Sequence, residues 1–376
     1  MKYAPGLYKE FQLLGRNFQR HGIHVTYVLA QPYSTHFDEE ASAHHHLVTS
    51  GKGGWHFVLE MALFFVIFWR LARLARGHQG ISTYLFYNPH PVQPFVQILL
   101  RLFLRARIVT VLHEPNKTAA DLKKYGVKGF VYFAIAMGIQ SLSVGVSAMV
   151  VTMSPHGANL FVQKYPTRRG DLIAANLLLP PHAGTMDRNR AADRRYFSFV
   201  GTVNRGKNID DIIAAVNAIV AGRLDPVLFL IITASDIDAD LAQLAPGWGA
   251  HLRVINKPQI SDGEIADVMA QSRAILILHK TASQSGVLPM AYSHGTPVIA
   301  RDLVAFTQYM DPGGIVLAQD FTPADLVAAC AAIGADQRAH GAGATQQFEA
   351  HFSDTNFDTF YAPLLAVLAS RDEGVP

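Results

Sequence analysis

Short apolar runs alternate with longer amphipathic segments along the whole chain. Runs of five to seven mostly apolar residues predict buried strands at 24–30, 83–88, 107–113, 148–154, 196–201, 227–233, 251–256, 274–279 and 297–301. Segments with helical spacing of apolar residues predict helices at 7–21, 92–105, 208–222, 236–245, 261–272, 286–294 and 323–334. Strands that alternate with helices in this way form parallel sheets covered on both faces. The pattern therefore predicts an α/β protein with two Rossmann-like domains.

The polar segment 180–195, which contains two prolines, separates the two predicted domains. We assign 1–180 to an N-terminal domain, 190–355 to a C-terminal domain, and 356–376 to a helix and tail, for which packing on the N-terminal domain is one arrangement. A doubly wound domain normally opens with a strand, whereas this chain opens with a helix. Either the N-terminal domain lacks its first strand or the true start lies upstream.

Apolar residues are concentrated in two stretches of the N-terminal half. The first, 55–75, contains nine uninterrupted apolar residues, after which Arg70, Arg73 and Arg76 follow at three-residue spacing. A bilayer span needs about 20 apolar residues, so this stretch is too short to cross. It predicts either a helix at the membrane interface or a buried helix whose arginines face water.

The second stretch, 129–163, contains no charged residue. Hydropathy alone would make it a membrane span, but the small residues Gly138, Ser141 and Gly145 and the Ser-Pro break at 154 argue against one. We therefore predict a core helix at 129–145 followed by the buried strand 148–154.

Charge is distributed unevenly between the two halves. Residues 1–180 contain 18 Lys and Arg against 8 Asp and Glu, and residues 181–376 contain 14 against 21, which together give the net charge of +3. The basic half indicates an anionic partner such as lipid, nucleic acid or an anionic substrate. Nucleic acid is the weakest of these, because no basic patch interleaves with aromatic residues in a recognisable motif. Half of the residues are hydrophobic, which excludes a disordered chain, and the single Cys330 excludes an intramolecular disulfide.

Candidate chemistry lies at the carboxyl ends of the predicted strands, where open parallel sheets bind ligands. The strand at 196–201 is followed by Gly201, Thr202, Asn204, Arg205 and Lys207, directly before a helix. A glycine lets the backbone approach a ligand, and cations at a helix start suit a diphosphate. A plain connection between strand and helix is the alternative.

A second turn of the same kind follows the strand at 274–279. Its residues are small or carry hydroxyl and amide groups: Ser283, Gln284, Ser285, Gly286 and Val287. Hydroxyls and free backbone amides at a helix start can bind an anion, although an ordinary serine cap has the same sequence. Lys257 and Ile260, after the strand at 251–256, complete the predicted donor-binding set.

Together these two turns resemble the donor domain of GT-B glycosyltransferases, most closely the retaining family 4. That family has a glycine followed by a lysine six residues later, as at Gly201 and Lys207, and a glycine turn, a helix and a Gly-x-Pro-Val-Ile run, as at 286–299. The resemblance implies two domains that face a cleft, in which a sugar moves from a nucleotide sugar to an acceptor without a metal or other cofactor. We expect a hexosyltransferase of the retaining type, acting on a glycan or lipid-linked acceptor in surface polysaccharide synthesis.

The resemblance also implies catalytic roles for His113, Lys207 and Arg205. His113 ends the strand 107–113 and would face the donor sugar, while the two cations would stabilise the departing diphosphate. Glu114 and His90 are acceptor-side candidates, and Glu114 is equally suited to a helix start. We place the triplet 44–46, all histidines, in a polar loop and predict no metal there.

The chain departs from the family at three positions. Thr202 stands where the family often has arginine, for which Arg205 is the replacement, and the family's two glutamates would fall on Ala282 and Met290. Ser283 and Gln284 are then the candidates for contact with the sugar. These departures keep two alternatives open, a catalytically inactive GT-B-like scaffold in a membrane glycan-assembly complex and a sugar epimerase. For the enzyme we expect a cytoplasmic location, at the inner face of an anionic membrane.

Overall fold

A computed structural model describes most of the chain in two compact units. The described residues are 7–30, 45–47, 64–77, 83–87, 93–113, 115–116, 126–180, 194–204, 206–207, 209–282 and 284–369. The first unit comprises Met1–Asn176 and Phe357–Pro376, and the second comprises Leu177–Asn356.

The strands, in chain order, are β1 (Val28–Ala30), β2 (His45–Leu47), β3 (Thr83–Tyr87), β4 (Arg107–Leu112), β5 (Met149–Thr152), β6 (Leu172–Ala174), β7 (Tyr196–Val200), β8 (Phe229–Thr233), β9 (Leu252–Asn256), β10 (Ser272–Ile277), β11 (Val298–Arg301) and β12 (Gly314–Leu317). The helices are α1 (Leu7–Arg20), α2 (Phe64–Gly77), α3 (Gln93–Leu104), α4 (Gly126–Val146), α5 (Pro155–Lys164), α6 (Asp210–Val220), α7 (Asp238–Leu241), α8 (Asp262–Gln271), α9 (Val287–Ser293), α10 (Val304–Thr307), α11 (Pro323–Ala335), α12 (Gln337–His351) and α13 (Phe357–Ala369). Short 3₁₀ helices occur at Pro166–Asp171, Trp248–Ala250 and Asp354–Asn356.

Every strand pair is parallel. In the first unit β1 pairs with β2, and a four-stranded sheet has the order β3-β4-β5-β6. The second unit has a six-stranded sheet with the order β12-β11-β10-β7-β8-β9. This α/β architecture, with helices flanking two parallel sheets, confirms the predicted fold class.

The six-stranded sheet has a buried apolar cluster on each face. Phe229 and Ile231 of β8 belong to one cluster, and Leu230 and Ile232 belong to the other. Alternate residues of a strand point to opposite faces, so both faces are covered. This burial explains why the strands of the second unit are continuous apolar runs in the sequence.

The core of the first unit is assembled from smaller clusters. Leu71 of α2, Val96 of α3 and Ile108 of β4 lie in one, and Val144 of α4 and Val150 of β5 lie in another. Helix α3 packs against both α2 and α4, which places the three helices side by side.

Helix α13 belongs to the first unit although it lies at the far end of the described chain. Its Phe357 and Tyr361 rings pack edge-on against Phe18 of α1, and Arg107 of β4 donates to the carbonyl of Val367 at 2.6 Å. The chain therefore passes from the first unit to the second and back again.

Most predicted elements are confirmed, and several boundaries are wrong. The predicted strand 24–30 is reduced to Val28–Ala30, and the predicted helix 236–245 is the single turn Asp238–Leu241. The histidine triplet was assigned to a loop, but 45–47 form β2, whose backbone pairs with β1. A three-residue strand of two histidines and a leucine has no apolar pattern by which the sequence could reveal it. Residues 1–6, where the sequence shows no first strand, lie outside the described residues, so that prediction is not tested.

The uncharged stretch 129–163 divides as predicted into helix α4, strand β5 and the start of α5. In the ranges that the structure describes, no helix has both the length and the hydropathy needed to cross a membrane. Helix α4 is nevertheless not the core helix that the sequence suggested, because Val127, Val131 and Ile135 are more than half exposed.

Candidate functional site

The order of the six-stranded sheet reverses between β7 and β10. Strand β7 comes first in the chain but lies inside the sheet, with β10 on one side and β8 on the other. In open parallel sheets a crevice forms at the carboxyl ends of the strands where the order reverses. The turns that follow β7 and β10 lie at this point.

The turn after β7 requires a glycine at its first position. Gly201 has φ of +127°, which a residue with a side chain rarely adopts. Its backbone N–H donates to the carbonyl of Ile232 at 3.1 Å, which ties the turn to the neighbouring β8. The next tie is Val203, whose N–H donates to the Ser235 hydroxyl at 2.9 Å.

The side chain of Asn204 shapes the rest of this turn. Its amide oxygen accepts from the backbone N–H groups of Gly206 and Lys207 at 2.9 and 3.0 Å, and the backbones of Asn204 and Lys207 pair with each other at 3.0 Å. Asn204, a predicted donor-binding residue, thus fixes the loop that carries Lys207. Thr202, which follows Gly201 in the same turn, is exposed.

The turn after β10 lies directly beside the turn after β7. The N–H of Lys280 donates to the carbonyl of Gly206 at 2.8 Å, and the Lys280 ammonium lies 3.6 Å from Asp210 at the start of α6. The structure therefore joins two predicted segments that are about 80 residues apart in the sequence.

His279 is a candidate functional residue that the sequence analysis quoted but did not assign. Its side chain is only 4% exposed, its Nδ1 has no hydrogen-bond partner among the described residues, and its ring lies 5.5 Å from that of Phe306. Burial, with the nearby Lys207 charge, lowers the pKa of His279 to about 3. A neutral imidazole therefore lies close to Lys207. The sequence could have identified His279 as a candidate, because it ends a predicted strand, which is the criterion that selected His113.

The Ser-Gly turn completes this edge of the sheet. Ser285 is buried and its hydroxyl accepts from the N–H of Val287 at 3.3 Å, while Gly286 caps helix α9 without a side-chain hydrogen bond. Leu177 lies 3.6 Å from the position that a Gly286 side chain would take, and Gln284 is half-buried.

Lys257 has a carboxylate partner in its own loop. Its ammonium pairs with Glu264, which also receives hydrogen bonds from the backbone and hydroxyl of Ser261. These hydrogen bonds, that from Lys257 first, lower the pKa of Glu264 to about 2. Ile260 packs against one face of the core. Both residues follow the edge strand β9, which β7 and β8 separate from β10 in the sheet, so they lie away from the two turns after β7 and β10.

In the first unit, His113 follows β4 and lies among aromatic and acidic groups. Its Nε2 is 3.9 Å from the Glu10 carboxylate of α1, and its ring is 5.3 Å from the Tyr87 ring. Burial lowers the pKa of His113 to about 4, so the imidazole is neutral at pH 7.

Four predicted site residues lie outside the described residues: Arg205, Ser283, His90 and Glu114. The placement of the second diphosphate cation, one sugar contact and the two acceptor-side candidates therefore stays a prediction.

Comparison with known proteins identifies the segment that forms the strand-end turns. Residues 194–336 match the family model described as Glycosyl transferases group 1. The matched residues all lie in the second unit. A search of curated proteins gives no match.

Solved structures similar to the whole chain include proteins described as glycosyltransferases and as synthases. Sucrose-phosphate synthase from Thermosynechococcus elongatus is 15% identical with a TM-score of 0.70, covering 97% of this chain and 94% of its own. Anabaena HepE in complex with UDP and glucose is 12% identical with a TM-score of 0.69, covering 98% and 97%. WaaG, a glycosyltransferase involved in lipopolysaccharide biosynthesis, is 14% identical with a TM-score of 0.61, covering 97% and 96%. At these identities the likeness establishes the fold, and the predicted resemblance to GT-B glycosyltransferases is confirmed.

Proposed function

We propose that the chain is a glycosyltransferase that moves a sugar from a nucleotide sugar to a glycan or lipid-linked acceptor. One observation carries the proposal: the segment that matches the family model contains both turns at the strand-order reversal, and a backbone hydrogen bond joins their residues Gly206 and Lys280. The complexes of HepE with UDP and with UDP-glucose support a uracil nucleotide as the first donor to test.

The proposed chemistry is a substitution at the anomeric carbon. The bond from that carbon to the diphosphate oxygen breaks, and a bond to the acceptor hydroxyl oxygen forms with retention, as the family resemblance implies. The acceptor's proton leaves with the diphosphate or passes to water. Lys207 and Arg205 stabilise the charge that develops on the diphosphate, with amides of the Gly201 turn beside them. His113, neutral at pH 7, hydrogen-bonds the donor sugar.

Binding and turnover of a panel of UDP, GDP and other nucleotide sugars test the proposal. We expect one donor to bind in calorimetry and to be hydrolysed slowly or transferred, and Lys207→Ala to lose both signals. Arg253→Ala is the matched control, because it removes the same charge at a distance from the two turns. Arg253 lies over the ring of Tyr196, which begins β7, whereas the turns follow the carboxyl ends of the strands. A chain that binds the donor but never turns it over would instead be the inactive scaffold.

We propose that the acceptor is reached at an anionic membrane, at its inner face, as part of surface polysaccharide synthesis. Helix α4 supports this, because two of its polar residues are buried while five of its large apolar residues are exposed. Gln140 and Ser143 are at most 1% exposed, and Gln140 donates to the carbonyl of Pro115 at 2.8 Å. The exposed residues share one helical face: Val127, Phe130, Val131, Ile135 and Leu142.

The neighbouring helices extend this surface and add positive charge. We define the apolar face as the exposed residues of α4 together with Phe95, Leu102 and Phe103 of α3 and Val66 and Trp69 of α2. Exposed arginines at 70, 73 and 76 lie on the same side of α2 as Trp69, and Arg73 stacks over that ring at 5.4 Å. Apolar bulk beside arginine fits an anionic lipid surface.

Flotation with vesicles tests the membrane contact. We expect binding to vesicles of phosphatidylcholine with phosphatidylglycerol, weaker binding to phosphatidylcholine alone, and loss of binding in Val131→Ser with Ile135→Ser. Val304→Ser with Val316→Ser is the control, because these are the exposed large apolar residues of the described second unit. Self-association of the wild type that the first pair abolishes, without vesicle binding, would make the apolar face an interface between copies instead.

A further inference from the structure

A small cavity of the first unit lies where β4 begins, at the opposite end of that strand from His113. It measures about 320 Å³, and three of the residues that line it are arginines: Arg101, Arg105 and Arg107. The rest of the described lining is apolar and contains no carboxylate: Ala106, Ile108, Val146 and Ala148. Three cations without an acidic residue in the same lining favour an anionic ligand.

Backbone carbonyls orient two of these guanidinium groups. Arg101 Nη1 donates to the carbonyl of Val146, the last residue of α4, at 2.7 Å. Arg107 donates to the carbonyl of Val367 at 2.6 Å. A guanidinium presents several N–H donors in a planar fork that matches the oxygens of a phosphate. The bond to Val146 therefore fixes the direction of the Arg101 fork and leaves other N–H groups of that residue for a ligand.

Arg105 adopts a backbone conformation that usually selects glycine. Its φ is +50°, and it is the one residue other than glycine with a positive φ in the described part of the chain. It follows the last residue of α3, where the N–H of Ala106 donates to the carbonyl of Leu100 at 3.2 Å. Left-handed residues at helix ends are mostly glycines, because a side chain is strained there. An arginine retained at such a position indicates that its side chain has a role.

The cavity adjoins the apolar face of the first unit. Leu102 and Phe103 lie between Arg101 and Arg105 in the sequence, belong to that face, and are each 70% exposed. Val146, which accepts from Arg101, ends the helix that contributes the exposed residues of α4 to the same face. An anion in the cavity would therefore lie beside exposed hydrocarbon, which is the arrangement of groups in an anionic lipid.

We propose that this cavity binds the phosphate of an anionic lipid headgroup, with Arg101 and Arg105 as its ligands and Leu102 and Phe103 against the acyl chains. The proposal rests on the membrane contact proposed for the apolar face and adds to it a defined site for one headgroup. His113 lies six residues along from the start of β4, about 20 Å away in an extended strand. The bound lipid would therefore hold the protein on the membrane and would not be the acceptor.

Arginine side-chain NMR of the full-length protein tests the site without vesicles. The probe is dihexanoyl phosphatidylglycerol, below the concentration at which it forms micelles, with dihexanoyl phosphatidylcholine as the comparison of zero net charge. We expect the first lipid to shift the Nε–H signals of Arg101 and Arg105 and the second to leave them unchanged. If inorganic phosphate bound the pair more tightly than the phosphatidylglycerol, the cavity would be a site for free phosphate and the lipid assignment would be overturned.

Flotation compares two matched pairs of arginines. Arg101→Gln with Arg105→Gln should weaken binding to vesicles of phosphatidylcholine with phosphatidylglycerol about 25-fold, which is about fivefold for each basic residue near the surface. Arg16→Gln with Arg20→Gln is the control, because these are also exposed arginines four positions apart, in α1 of the same unit. We expect the control pair to change binding less than twofold. An equal loss in both pairs would mean that net charge alone matters, and would overturn the proposal.

Arg105→Gly separates ligand binding from a structural role, since cations near helix carboxyl ends also stabilise helices. Glycine adopts a φ of +50° without strain, so this variant should raise the midpoint of urea denaturation while it weakens vesicle binding about fivefold. Lower stability with unchanged binding would make Arg105 a structural residue and overturn its assignment.

The two measurements also separate this site from the membrane contact on which it rests. If the soluble phosphatidylglycerol shifts both arginine signals and no vesicle binds, the headgroup site stands and the membrane contact is refuted. If vesicles bind the wild type and the Arg101→Gln, Arg105→Gln variant equally, the membrane contact stands and the headgroup site is refuted.

Discussion

The two units bury their helices to different extents. Of the large apolar side chains that are exposed in the described residues, eleven belong to the first unit and two, Val304 and Val316, to the second. The first unit's segment 1–176 lies in the basic half of the chain, and the second lies almost wholly in the acidic half. The second unit thus buries nearly all of its large apolar side chains, whereas the first unit leaves apolar surface that is available for a partner such as a membrane. The two units therefore differ in how many large apolar side chains they leave exposed.

The largest expected effect is a loss of turnover that follows from a substitution in the second unit and not from one in the apolar face of the first. We expect Lys207→Ala to lower turnover about 100-fold or more, because it removes the charge that we propose stabilises the leaving diphosphate. The apolar-face variant Val131→Ser with Ile135→Ser should keep full turnover on a water-soluble acceptor. Steady-state assays of both variants check this. An equal loss of turnover in the two would contradict the proposal that the second unit stabilises the diphosphate and the apolar face of the first unit binds the membrane.

A second effect should appear only in membrane binding. Replacing Arg70, Arg73 and Arg76 together by glutamine should weaken binding to anionic vesicles about 100-fold, at about 1 kcal/mol for each basic residue near the surface. Binding titrations at low and high salt measure it, since salt screens the contribution. A reduction that is the same with phosphatidylcholine alone would mean that the arginines contribute by packing.

Acid should destabilise the second unit through His279. Its pKa is about 3 in the folded state and about 6.5 when unfolded, so the unfolded state binds the extra proton. Stability is present above pH 6.5 and is lost as the pH falls toward 3, by up to about 1.4 kcal/mol per pH unit. His279→Leu should flatten this dependence in hydrogen exchange of β10 peptides, and leave β4 peptides of the first unit unchanged. A parallel pH dependence in variant and wild type would contradict the assignment.

The smallest effect concerns the backbone of the glycine turn. Gly201→Ala should destabilise the second unit by about 1–2 kcal/mol, because the φ of +127° is strained for alanine while the added methyl meets nothing within 4 Å. Gly249→Ala is the control, with equally open space and no positive φ. Urea denaturation of the two variants compares them.

The sequence predicted the second unit better than the first for a physical reason. Strands buried on both faces are continuous apolar runs, so 196–201, 227–233 and 251–256 all correspond to observed strands near those bounds. Strand β2 has no such pattern, and α4 reads as a core helix because hydropathy does not tell apolar residues that face protein from those that face outward. The composition of α4 shows that the helix is apolar, whereas only the structure shows which of its apolar residues are exposed.

The candidate site shows the same limit at the level of single residues. Gly201 and Lys207 stand out by their spacing, and the likeness to known donor domains depends on it. The closeness of Glu10 to His113 brings together residues 103 positions apart and cannot be found from spacing. Glu10 lies in an amphipathic helix where a charged residue is expected to face water, and its burial is a tertiary effect.

The return of the chain to its first unit has a consequence for synthesis on the ribosome. The second unit is continuous from 177 to 356, so it can fold as soon as it has emerged, whereas the first unit waits for Phe357–Ala369. At roughly 5–20 residues per second, the segment 177–356 occupies about 10 to 40 seconds of translation. Throughout that delay Phe18 of α1 lacks its aromatic neighbours from α13. The unit made first is thus completed last, and nascent chains are expected to need chaperone protection over that interval.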